Sequence, residues 1–161
     1  MTSSARKRSI GLAVGVVLAV AASSGAALAA VDAGKVIASR IDGFKKMGSA
    51  FKGLNDGLKS DAPDAKAMAD QAKTVHQMAV QVGKWFPAGS GPESGQKTRA
   101  KAEIWSDSAG FATAVKNLEI ESAKLETVAK GGDIEALKAQ VKATGGACGG
   151  CHTKYRAPEQ H

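Results

Sequence analysis

The chain has 161 residues, with 22 basic against 15 acidic side chains and a formal charge of +7 at pH 7. That length suits one domain with a real core, and no internal repeat or composition shift marks a second. Beyond residue 29 the lysines are spread along the chain with no basic run and no interleaved aromatics, which argues against a nucleic-acid-binding protein.

Residues 1–29 open with Arg6, Lys7 and Arg8, continue through an apolar core from Ile10 to Ala22, and end on the small-residue site Ala27-Leu28-Ala29. This is the pattern of a secretory signal peptide cleaved after Ala29. Ser23, Ser24 and Gly25 break the apolar run too early for a membrane span, although an uncleaved anchor is the alternative. Residues 30–161 then form the mature domain, and loss of the three basic residues lowers its formal charge from +7 to +4.

Four helices account for that domain. The first, over 32–59, aligns Ile37, Ile41, Phe44, Phe51, Leu54 and Leu58. The second, over 63–83, starts with Pro63 in its first turn after Asp61 and aligns Met68, Ala72, Val75, Ala79 and Val82. Pro87 to Gly95 is rich in glycine, proline and serine and reads as a loop. The third helix, over 101–130, carries Ile104, Phe111, Val115, Leu118 and Leu125, and Gly131-Gly132 stops it. The fourth begins after Asp133, a plausible N-cap, and repeats Ile134, Leu137, Val141, Thr144, Cys148, Cys151 and Tyr155 before Pro158. Four amphipathic stripes predict an all-α, antiparallel four-helix bundle of up-down-up-down topology.

The only two cysteines occur in Cys148-Gly149-Gly150-Cys151-His152, the spacing of a c-type haem attachment site. Each sulfur adds to one vinyl group of the porphyrin, and the adjacent imidazole reaches the iron. On a helix Cys148 and Cys151 share a face, with His152 one turn after Cys148. A thioredoxin-like pair would need a βαβ pattern, and none precedes it. A zinc site would need a fourth ligand from distant His76 or His161. One covalent haem c per chain is the prediction, with Cys148 and Cys151 as attachment points and His152 as iron ligand. Gly145, Gly146, Gly149 and Gly150 would let a flat macrocycle approach the backbone. Covalent haem is assembled outside the cytoplasmic membrane, so the motif and the signal peptide agree; in a bacterium the compartment is the periplasm.

A four-helix exported chain ending in Cys-x-x-Cys-His resembles the cytochrome c′ family, the class II cytochromes c. The resemblance covers essentially the whole mature chain. It includes Cys148 to Arg156, Trp85-Phe86-Pro87-Ala88-Gly89-Ser90, Glu103-Ile104-Trp105, and Arg40. It implies that the first helix covers the distal haem face and that Arg40 contacts a propionate. It also implies that Arg156 tunes the proximal imidazole and that Phe44 stands at the distal position. Low-spin relatives have a ligating methionine there, whereas high-spin members have an apolar or aromatic residue. Phenylalanine has no lone pair to donate, so five-coordinate iron is expected. Met47 is the alternative sixth ligand, in a six-coordinate electron carrier. Its offset from the distal position, and the ordinary packing role of methionine, weigh the other way.

The expected function is binding of nitric oxide and carbon monoxide together with one-electron transfer to redox partner proteins. The resemblance adds a homodimer formed through the first two helices. An enzyme is not expected, because the only charged neighbours of Phe44, Ile41 and Gly48 are Asp42 and lysines, which are expected to face water. After signal cleavage no membrane association is expected.

Overall fold

The computed structural model describes Met1 and residues 32–159; the rest of the predicted signal peptide and His161 lie outside them. The helices are α1 (Ala33–Gly57), α2 (Ala65–Ala79), α3 (Glu103–Ser106), α4 (Ser108–Gly131) and α5 (Ile134–Tyr155). Two 3-10 turns, Val82–Trp85 and Pro92–Ser94, lie between α2 and α3.

Each long helix starts on an aspartate. The carboxylates of Asp32, Asp64, Asp107 and Asp133 accept from the backbone N–H of Lys35, Ala67, Gly110 and Ala136 at 3.1, 2.9, 3.1 and 3.0 Å. Each cap satisfies a donor that the helix cannot, worth about 1 kcal/mol. Gly132, at φ 74°, ends α4 in the left-handed conformation that glycine adopts without a side-chain clash.

The helices pack in series: α1 on α2, α2 on α4, and α4 on α5. Gly53 faces Gln71, Gly57 faces Met68, and Gly43 faces Trp85, so α1 and α2 run antiparallel. Leu54, Val75, Leu125 and Leu137 are fully buried at the centre. Burying each such side chain is worth roughly 1.5–3 kcal/mol. The result is the antiparallel four-helix bundle expected.

The helix limits differ in informative ways. Asp64, not Asp61, caps α2, so Pro63 precedes the helix instead of occupying its first turn. The second helix ends at Ala79, and its apolar pattern continues into a 3-10 turn that carries Val82 and Trp85. The third segment is two helices, because Asp107 leaves the helical region at φ −115°, ψ 55°. Its side chain is thereby freed to cap α4 and to bond Lys154 and Tyr155 of α5. On α1, Ile41 is 43% exposed and Gly48 is also exposed, while Met47 takes the buried position at 7%.

Candidate haem-attachment site

Cys148 and Cys151 are free thiols, half-buried and packed against the core. Burial pushes both pKa values above the ordinary thiol range, which keeps the sulfurs protonated and neutral. His152 follows on the exposed side of α5. Its surface is largely open, yet crowding of the ring by protein atoms lowers its pKa below the usual histidine range. The positive charges of Arg156 and Arg99 add to that lowering. Arg156 Nη1 stands 3.5 Å from His152 Nδ1.

A short antiparallel pairing fixes this end of α5. The N–H of Lys101 donates to the Tyr155 carbonyl at 3.0 Å, and that of Ala157 donates to the Arg99 carbonyl at 2.8 Å. Arg99 Nε bonds the Ala157 carbonyl at 2.9 Å. Lys101 Nζ donates to the carbonyls of Thr153 and Lys154 at 3.4 and 3.2 Å, satisfying the open C-terminal end of the helix. The residues that follow His152 are thus held by the 99–101 segment.

Phe44 is half-buried on α1. Its ring meets Trp85 edge-on at 4.9 Å between centroids and lies 6.2 Å from Phe86. Phe86 continues to Phe111 at 5.0 Å and to Trp105 at 6.2 Å, and Phe111 to Tyr155 at 5.3 Å. Trp105 Nε1 donates to the carbonyls of Phe86 and Pro87 at 3.2 and 3.3 Å, tying the loop to α3.

Arg40 is 4% exposed. Its Nη1 donates to the Trp85 carbonyl and Ser90 Oγ at 3.4 and 3.3 Å, and its Nη2 to the Ser90 carbonyl and Thr98 Oγ1 at 3.1 and 2.9 Å. The guanidinium also lies 4.5 Å over the Phe86 ring. Both terminal nitrogens are engaged by protein acceptors, which leaves Nε–H as the remaining donor.

Other side chains fall elsewhere. His76 turns to Ser122 Oγ at 3.1 Å, between α2 and α4. Gly146, Gly149 and Gly150 are exposed, and a Cβ on any of them would meet no protein atom within 4 Å. Only Gly145 is in contact, with the Phe51 ring of α1. Beyond that contact Phe51, Asn55 and Leu58 face Val141, Lys138 and Lys142 across a groove of about 460 Å³.

The donor set fits a c-type haem: two neutral thiols one turn apart against the core, with an imidazole beside them whose Nε2 is free of protein partners. Thr98, Ser90 and Asp107 were not foreseen in their roles. Asp107 could have been found as an N-cap before an apolar run. Thr98 and Ser90 carry no local signal, since their partner Arg40 is far away in sequence.

Fold and donor set together define a c-type cytochrome built on a four-helix bundle. The family model of cytochrome c′ matches residues 35–156. The cytochrome c′ of Rubrivivax gelatinosus is 34% identical, with a TM-score of 0.71 over 77% of this chain and 96% of that one. That of Shewanella frigidimarina is 28% identical, with a TM-score of 0.73 over 80% and 98%. A nitric oxide complex of a mutant cytochrome c′ from Alcaligenes xylosoxidans is 25% identical, with a TM-score of 0.72 over 80% and 98%. No curated protein sequence matches. The chain belongs to the cytochrome c′ family, and its cofactor is a covalently attached c-type haem.

Proposed function

We propose that this is a periplasmic, non-enzymatic haem protein with five-coordinate high-spin iron, which binds nitric oxide and carbon monoxide and passes single electrons. The observation that carries this reading is Phe44, packed edge-on against Trp85 and beside Phe86. A phenyl ring offers neither a lone pair for the iron nor a hydrogen-bond donor for bound dioxygen. Nitric oxide needs no such donor, and carbon monoxide enters as the ring swings aside. Met47 is packed among core residues, which supports a packing role over ligation.

Cys148 and Cys151 would hold the haem, and His152 Nε2 would ligate its iron. The haem supplies a one-electron couple and a site for a diatomic ligand. With Nε2 coordinating, Nδ1 carries the proton, and the Arg156 guanidinium cannot accept it. Without an anionic acceptor at Nδ1, His152 remains a weaker donor than an imidazole backed by a carboxylate. Arg40 Nε is the donor available to a propionate.

Export rests on the signal-peptide pattern of residues 1–29. The nitric oxide complex of the Alcaligenes xylosoxidans relative supports the ligand class. Ile41 on α1 and Val80 after α2 are exposed apolar side chains on the two helices expected to form a homodimer. Exposed lysines suit acidic redox partner proteins.

The deciding measurement is the absorption spectrum of the purified holoprotein, ferric and dithionite-reduced, with and without nitric oxide. A broad high-spin ferrous Soret band that changes with nitric oxide is expected. Sharp low-spin bands indifferent to ligand would replace this reading with Met47 ligation and electron transfer alone.

A further inference from the structure

Tyr155 is the only tyrosine in the chain. It is 3% exposed and stands one helical turn after Cys151 on α5. Its hydroxyl donates to Asp107 Oδ2 at 2.8 Å, an oxygen that also accepts from Lys154 Nζ, and Asp107 is itself partly open to solvent. Its ring lies 5.3 Å from Phe111, which continues through Phe86 at 5.0 Å to Phe44 at 6.2 Å. The phenol therefore borders the haem site along the helix and through the aromatic stack, while its proton faces a carboxylate. None of the roles assigned above uses that arrangement.

We propose that Tyr155 and Asp107 form a redox relay that supplies electrons when hydrogen peroxide is reduced at the haem. The inference rests on the five-coordinate reading, since peroxide must reach the iron. A phenol that loses an electron becomes a strong acid, and a hydrogen-bonded carboxylate takes its proton without rearrangement. Reduction of one hydrogen peroxide to two waters breaks the O–O bond and consumes two electrons and two protons. Each electron leaves Tyr155 as its phenolic proton passes to Asp107. A one-electron donor at the surface then restores the electron, and Asp107 returns the proton. Over the cycle two donor electrons and two solvent protons are consumed. Because Phe44 brings no acid or base to the distal face, the relay disposes of oxidising equivalents from a slow side reaction and does not make the protein a peroxidase.

The test is freeze-quench electron paramagnetic resonance of the ferric holoprotein mixed with hydrogen peroxide and no donor, preceded by its absorption spectrum. A tyrosyl signal is expected, absent in Tyr155→Phe and reduced in Asp107→Asn, with faster haem bleaching in both. Tyr155→Phe keeps the ring against Phe111, and circular dichroism checks its fold. A five-coordinate spectrum with no protein radical, or an unchanged radical in Tyr155→Phe, overturns the relay alone. A six-coordinate low-spin spectrum overturns the reading beneath it and the relay together.

Discussion

Arg40 Nη2 donates to the carbonyl of Ser90 at 3.1 Å, joining the first helix to a loop 50 residues further along the chain. With Thr98 and Trp85 as further partners and Phe86 beneath the guanidinium, this one side chain positions the loop that packs on Phe44. Burial lowers its pKa, although an arginine remains charged in any physiological range.

Replacing Arg40 with leucine removes four hydrogen bonds and strands buried acceptors. The expected loss is about 3 kcal/mol of stability, set by unsatisfied polar groups. Guanidinium denaturation of the holoprotein measures it, and a loss under about 1 kcal/mol would mean the loop holds itself in place.

Phe44→Ala should speed carbon monoxide association. If moving the ring aside costs about 1.4 kcal/mol, its removal gives roughly a tenfold gain. Flash photolysis reads the rate directly, and an unchanged rate would place the barrier elsewhere. Phe44→Met tests the same position differently: the new thioether should convert the spectrum to low spin.

Arg156→Ala should alter the iron–histidine stretching frequency and the gas affinity while leaving stability within about 0.5 kcal/mol. The backbone bond from Arg156 to the His152 carbonyl at 3.0 Å does not depend on the side chain. Resonance Raman spectra matching wild type would remove Arg156 from the proximal environment.

Hydrogen bonds from Lys154 first, then from Tyr155 and the N–H of Gly110, hold Asp107 below the usual carboxylate range. A depressed folded pKa contributes stability above the unfolded value of about 3.9 and loses it as pH falls through the folded value. The Tm gap between wild type and Asp107→Asn should therefore be steady near neutrality and shrink below about pH 4. A gap that persists at the acid end would mean the bonds do not depend on the carboxylate charge.

Leu125 is fully buried between α4 and its neighbours. Leu125→Ala should cost about 2–5 kcal/mol, depending on how far the bundle closes over the cavity. Chemical denaturation checks it.

Much of the bundle was legible because Leu54, Val75, Leu125 and Leu137 recur at helical spacing, and the haem motif because its chemistry fixes its spacing. The exchange of Ile41 for Met47 in the interior was not, because both are apolar and periodicity leaves the azimuth of a stripe uncertain by one residue. The break at Asp107 depended on Tyr155 and Lys154, partners from another helix. The internal bonds of Arg40 depended on a loop whose path has no period. Residues that act within one helix were readable, and those that join separate elements needed the fold.

The chain's two tryptophans both belong to the aromatic cluster, Trp85 against Phe44 and Trp105 against Phe86. A bound porphyrin absorbs where indole emits and drains its excited state across a domain of this size. The folded holoprotein should consequently be almost dark, and because thioether bonds prevent the quencher from escaping, any emission that develops reports the polypeptide expanding around it.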